Sequence, residues 1–198
     1  MPTLESIIAD TLDFVDRPDL LSPCRKVMRS ILLDAHAISD FHRDLTSSAL
    51  VAGEEKNTLA LPSNYRKLAA VTAYDEDDEP FTVEYTRKTL EPYVDAWGFQ
   101  KTDFVYYIAG GSIVLQHSAA CIPDKVGYSY YKYPTFVVAV DGSVSTDSWL
   151  CANAESYLRN KLTEFIAART GNAALLQVAK ADAQASLGIL LASEMDGI

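Results

Sequence analysis

Histidine and cysteine are scarce in this chain of 198 residues, three of each, and their placement removes most of the chemistry that depends on them. Cys24, Cys121 and Cys151 are odd in number and no two stand at metal-ligand spacing. They read as reduced thiols of an intracellular protein, small residues of the core. His36 and His42 lie six apart on one helical stretch, about 600° of rotation and so on different faces. His117 is far from both, and no carboxylate or cysteine completes a ligand set, so the histidines read as surface or cap residues. No apolar run approaches the ~20 residues of a membrane span, and Met1–Glu5 lacks the basic-then-apolar pattern of a signal peptide. Positive charge is also short: 17 Lys and Arg against 27 Asp and Glu, a net charge of −10. With no basic run to displace counterions, a grip on phosphate backbones is excluded.

The catalytic motifs are missing too. No Gly-x-x-x-x-Gly-Lys-Ser/Thr loop and no dinucleotide fingerprint occurs. Gly110-Gly111-Ser112-Ile113 is not a nucleophile elbow, because it joins strand to strand. Asp75–Glu79 is a contiguous acidic run, whereas a calcium loop spaces its ligands and needs a glycine, so it reads as a solvated turn. No catalytic residue, cofactor or metal is expected.

What is present is an ordinary globular balance, 48% hydrophobic and 22% charged. Leu4, Ile7, Ile8, Leu12 and Val15 fall on one helical face, stopped by Pro18. Ser22-Pro23 suggests an N-cap and first turn for a second helix with Val27, Met28, Ile31, Ala35 and Ile38 on its apolar stripe. After about Thr46 the period becomes two. Asn57–Arg66 is extended around Pro62, and Leu68, Ala70, Thr72 and Tyr74, then Phe81, Val83 and Tyr85, alternate. Gly110-Gly111 marks a two-residue hairpin, and Val126–Tyr133 a further strand closed by Pro134; about six strands are expected. Helical period returns at Trp149, with Asp147 or Ser148 as cap, breaks at Gly171-Asn172, and resumes from Ala173. The expected fold is α+β: a four-helix bundle, two helices from each end, with an antiparallel β-sheet domain inserted between helices 2 and 3. The expected divisions are 1–46, 47–146 and 147–198.

Tyrosine is the one conspicuous surplus. Tyr106, Tyr107, Tyr128, Tyr130, Tyr131 and Tyr133 fall in neighbouring expected strands. Cross-strand aromatic packing together with some subunit contact is the favoured account of such a cluster, since aromatic pairs stabilise sheets and tyrosine is enriched at interfaces. A sugar-binding platform would show the same sequence.

The order of these pieces resembles the head-to-tail adaptor (connector) proteins of tailed bacteriophages. Leu61-Pro62-Ser63-Asn64-Tyr65 matches the family's segment that opens the inserted sheet. Tyr107–Leu115 matches its aromatic-to-apolar hairpin, Tyr128–Pro134 its tyrosine-rich strand, and Asp141–Trp149 the stretch before the third helix. That last segment lacks the family's Asn-x-Leu-Leu. The resemblance implies a structural virion protein with no enzymatic activity. It forms a ring, dodecameric in the family, at the virion neck, where it joins the portal to the tail nozzle or other tail proteins. Assembly takes place in the host cytoplasm. DNA is passing cargo, which an acidic lumen lets slide. The apolar C-terminal end, Leu187, Leu190, Leu191, Met195 and Ile198, is the expected portal-docking element. Tyr128, Tyr130, Tyr131 and Tyr133 are the expected subunit or tail contact. A binding module of another kind, a carbohydrate- or peptide-binding sheet carried on helices, is the alternative.

Overall fold

The computed structural model describes residues 2–52, 57–81, 83–85, 104–117 and 122–195. They form two compact units: one is built from 1–44 and 133–198, the other from 45–132.

In the first unit, α1 (Leu4–Phe14) begins at a capping box, where Thr3 and Ser6 each satisfy the other's backbone N–H. It buries Leu4, Ile7, Ile8, Thr11 and Leu12. Asp16, at φ 53°, turns the chain out of the helix. A 3-10 turn, Pro18–Leu20, leads directly into α2 (Leu21–Ala37). Ser22-Pro23 therefore lies inside the first turn rather than at the cap. The short helix α3 (Leu150–Asn153) is separated from α4 (Glu155–Thr170) by Ala154, whose φ of −131° breaks the helical path. Gly171, left-handed at φ 71°, closes α4, and α5 (Ala173–Met195) follows.

This helical unit is not the four-helix bundle the pattern suggests. Among the described residues five α-helices, one of them a single turn, share it with a two-stranded ribbon, β10 (Phe136–Val138) and β11 (Val144–Thr146). The reason lies in the widths of the apolar faces. α4 buries Tyr157, Leu158, Leu162, Thr163, Ile166 and Ala167, a face broad enough to receive α1, α2 and α5. α5 buries little beyond Ala179, Ala183 and Leu190, and its main packing partner is α4. Val144 of the ribbon is part of the helical core and Phe136 packs against it. The stretch 133–146, grouped with the sheet by its period, thus groups with the helices.

The second unit holds two sheets. The first, in the order β1-β9-β4-β5, joins β1 (Leu45–Ser47), β9 (Lys125–Lys132), β4 (Tyr65–Tyr74) and β5 (Pro80–Phe81), with β2 (Val51–Ala52) also on β9. The second, β3-β8-β7-β6, joins β3 (Thr58–Ala60), β8 (Ser112–His117), β7 (Phe104–Ala109) and β6 (Glu84–Tyr85). Pairing is antiparallel throughout except for the short β6–β7 pair. Val71, Ala73, Val126 and Tyr128 of the first sheet share a core with Leu59, Ile113 and Leu115 of the second. Eleven short strands stand among the described residues, where six were expected. The Gly110-Gly111 turn is as read, with Ala109 paired to Ser112 and φ of 58° and 77° at the two glycines.

Candidate functional site

The most organised polar site is in the helical unit, and it contains a histidine expected at the surface. His36 lies on the stripe of Met28 and Leu32, at intervals of four, and is 1% exposed. The 3-10 turn His42–Asp44 brings Asp44, 2% exposed, beneath it. The Nδ1 of His36 is 2.7 Å from Asp44 Oδ2; a carboxylate only accepts, so Nδ1 carries the hydrogen. The Nε2 is 2.8 Å from the hydroxyl of Ser148, which arrives from 112 residues away. Trp149 Nε1–H donates to the other oxygen of Asp44 at 2.8 Å. The indole stands edge-on to Phe41 and to His36, and the Arg43 guanidinium lies 5.1 Å above its ring.

Ser148, His36 and Asp44 thus stand in the order and at the distances of a serine-hydrolase relay, and Ser148 borders a groove of about 600 Å³ whose wall includes Glu5, Val137 and Thr146. A working relay also needs a nucleophile open to a carbonyl and free N–H groups facing the oxyanion that forms. Here the Ser148 hydroxyl accepts from Leu150 N–H, while Ser148 N–H donates to Thr146 Oγ1. Cys151 and Ala152 N–H are spent on the carbonyls of Ser148 and Trp149. Ser148 as a whole is 8% exposed. The backbone N–H groups of Ser148, Leu150, Cys151 and Ala152 are thus already engaged. What the geometry does is hold: it pins the end of α2 and the last residue of the 1–44 segment to the segment that re-enters the helical unit.

Local reading misses this site because its three parts come from 36, 44 and 148, with no motif between them. The signal was the spacing of four from Met28 and Leu32, which puts His36 on the apolar stripe. His42, in contrast, is exposed.

The other candidate residues separate cleanly. Leu190 is part of the helical core, and Leu187 and Leu191 are partly buried against it, so none of the three is a free docking surface. Met195 ends α5, and Ile198 lies outside the described residues. The exposed apolar residue of that helical stretch is Ile189. Tyr128 is buried in the sheet core, its hydroxyl donating to Ala60 O at 2.6 Å, and Tyr130 packs beside it with ring centroids 5.6 Å apart. Tyr131 stands under the Arg66 guanidinium at 5.2 Å, and Tyr133 is half-buried. Packing therefore accounts for Tyr128 and Tyr130, while Tyr131 and Tyr133 keep part of their surface.

Cys24 and Cys151 are buried free thiols, each pushed up to about 11 by burial; Cys121 lies outside the described residues. No group of three or more His, Cys, Asp or Glu is placed to hold a metal among the described residues. Asp75 organises the acidic turn by accepting from the N–H groups of Asp77 and Glu79, and Lys125 pairs with Asp78. None of the described helices is long and apolar enough to cross a membrane. Neither a protein-family model nor a curated protein sequence matches this chain.

Proposed function

We propose that this chain is a non-enzymatic structural subunit of a tailed-bacteriophage virion, a head-to-tail adaptor that forms a ring between the portal and the tail and surrounds the DNA exit channel. The carrying observation is the order of parts. Two helices precede the Leu61–Tyr65 segment, which is not extended as the sequence suggests but turns, with Tyr65 N–H donating to Pro62 O, into β4, the long partner of the tyrosine-rich strand β9. The Gly110-Gly111 hairpin, the Asp141–Trp149 stretch and the closing helices follow in the adaptor order. A net charge of −10 suits a surface past which phosphates slide without being held. The closed hydrogen bonding around Ser148 favours a scaffold over a hydrolase.

Portal docking falls, on this reading, to the end of the chain beyond Leu191, because Leu190 is engaged in the core. The test is the native mass of the purified chain over a concentration series, alone and with a portal protein added. Rings, alone or on the portal, are the expected result. A chain that remains monomeric in both arms overturns the reading and directs attention to glycan and peptide screening of the sheet unit. Removing residues 195–198 alone sharpens the docking question, since a cut at 188 also takes Leu190 out of the core.

A further inference from the structure

The helical unit carries two exposed apolar patches with opposite charge around them, and α1 separates them. The first is at the end of α1. Phe14 is 76% exposed, and Asp13 and Asp16 beside it are exposed and form no ion pair among the described residues. Asp10, on the same flank, is paired with Arg159 of α4. The second patch lies on the ribbon and the adjoining face of α2. Val137 is 65% exposed, Val138 is 53% exposed, and Val140 in the ribbon's turn is fully exposed. The exposed Arg29 of α2 shares this face, its guanidinium 5.2 Å from the Phe136 ring centroid, with the exposed Lys26 one turn before it on α2; the exposed Asp141 beside Val140 accepts from Ser143.

Glu5 shows how the patches are disposed. Its carboxylate accepts from Val144 N–H of β11 and from Arg25 of α2, so it marks the ribbon flank of α1. Phe14 lies nine residues on, about 900° of helix rotation, which is half a turn away. The two patches therefore stand on opposite flanks of α1. A ring needs two unlike, nearly back-to-back faces on each subunit, because each contact joins one face to a different face of the neighbour.

We propose that these patches meet between copies of this chain: Phe14 of one copy packs on Val137, Val138 and Val140 of the next, and Asp13 and Asp16 face Lys26 and Arg29. This contact deepens the ring reading and rests on it. Its size sets its strength. A phenylalanine buries at most about 250 Å², against roughly 800 Å² per partner in a standard stable interface. The patch is thus the centre of a weak contact. Ring closure, in which every subunit makes the contact twice, gives it its stability. Assembly is accordingly cooperative in concentration and weakened by salt.

The experiment is sedimentation velocity of the full chain over a concentration series, for the native sequence, Phe14→Ser, and Val137→Ser with Val138→Ser. All three substitutions are at exposed positions, and circular dichroism verifies folding. Each single-face variant is expected to be monomeric, since every contact needs both faces. An equimolar mixture of the two is expected to yield heterodimers and nothing larger, since one intact face remains on each partner. Lys26→Glu with Arg29→Glu is expected to weaken association at least tenfold at low salt. Variants that assemble like the native chain overturn this contact and leave the ring reading standing. Where the native chain is monomeric alone yet joins a portal ring, the same variants are expected to fail to fill that ring, and variants that fill it overturn the contact. A native chain monomeric in both settings overturns both.

Discussion

The two units of this molecule solve the problem of burying polar groups in different ways. In the sheet unit ladders between backbones do much of the work, above all β4 on β9 and β7 on β8, and the hydroxyl of the buried Tyr128 donates to a backbone carbonyl. In the helical unit the backbone is satisfied within each helix, so nothing in the ladders ties one helix to another. Apolar packing does that, and one buried set of side chains, His36, Asp44, Ser148 and Trp149, specifies which segments meet. A ladder tolerates many sequences. A buried carboxylate tolerates few, because an unpaired charge in the interior is costly. The difference teaches where each unit is vulnerable.

The largest expected effect tests the aliphatic seal. Leu158→Ala, at a fully buried position of α4 where three helices converge, is expected to cost about 2–5 kcal/mol in urea unfolding followed by the helical signal. A loss below ~1 kcal/mol would mean that α4 is not the hub. Next comes the polar tie. His36→Leu removes the imidazole partner of the buried Asp44 carboxylate and is expected to cost about 2–3 kcal/mol, against about 1 kcal/mol for Ser148→Ala. Equal costs would break the comparison, because the serine would then matter as much as the charged partner. For the sheet unit, Gly111→Val is expected to cost about 1–2 kcal/mol. The cause is the positive φ alone, since a Cβ there meets nothing within 4 Å. In the acidic turn, Asp75→Ala is expected to cost about 1 kcal/mol for its two N–H partners, while Glu76→Ser stays within about 0.5 kcal/mol as a surface change.

The smallest effect at neutral pH separates the units by their thiols. Cys24 and Cys151 are both in the helical unit and are held protonated up to about pH 11 by burial. A raised thiol pKa contributes stability that is whole below the unfolded value of 9.0 and that is lost as pH rises through the folded one. A Cys121→Ser chain should therefore lose stability between pH 9 and 11 and resist thiol reagents at pH 8 until unfolded. Rapid labelling of the folded chain would show that the helical core opens.

Much of the fold was legible because local rules and tertiary packing agree. The apolar stripe of α1, the Gly110-Gly111 turn and the left-handed Gly171 each need only a few neighbouring residues to be read. The bundle was not, because a helix's apolar stripe states that it is buried but not against how many partners. α5 has an alanine-rich stripe and packs chiefly on one helix, and the ribbon takes a place in the core that period alone assigns to the sheet. Leu190 poses the same problem: it reads the same in sequence whether it faces a partner or its own core, and the structure puts it in the core.

By itself the sequence determined the helix and strand periods, the turns that need glycine, the acidic balance, and the lack of any local catalytic or metal motif. Each of these is set within a few residues or by simple composition. Only the tertiary structure decided that His36 is buried on Asp44 and Ser148, that α4 and not a four-way seam centres the helices, and that Phe14 and the ribbon valines are left outside. These outcomes depend on residues far apart in the chain, and burial is a property of the packed whole.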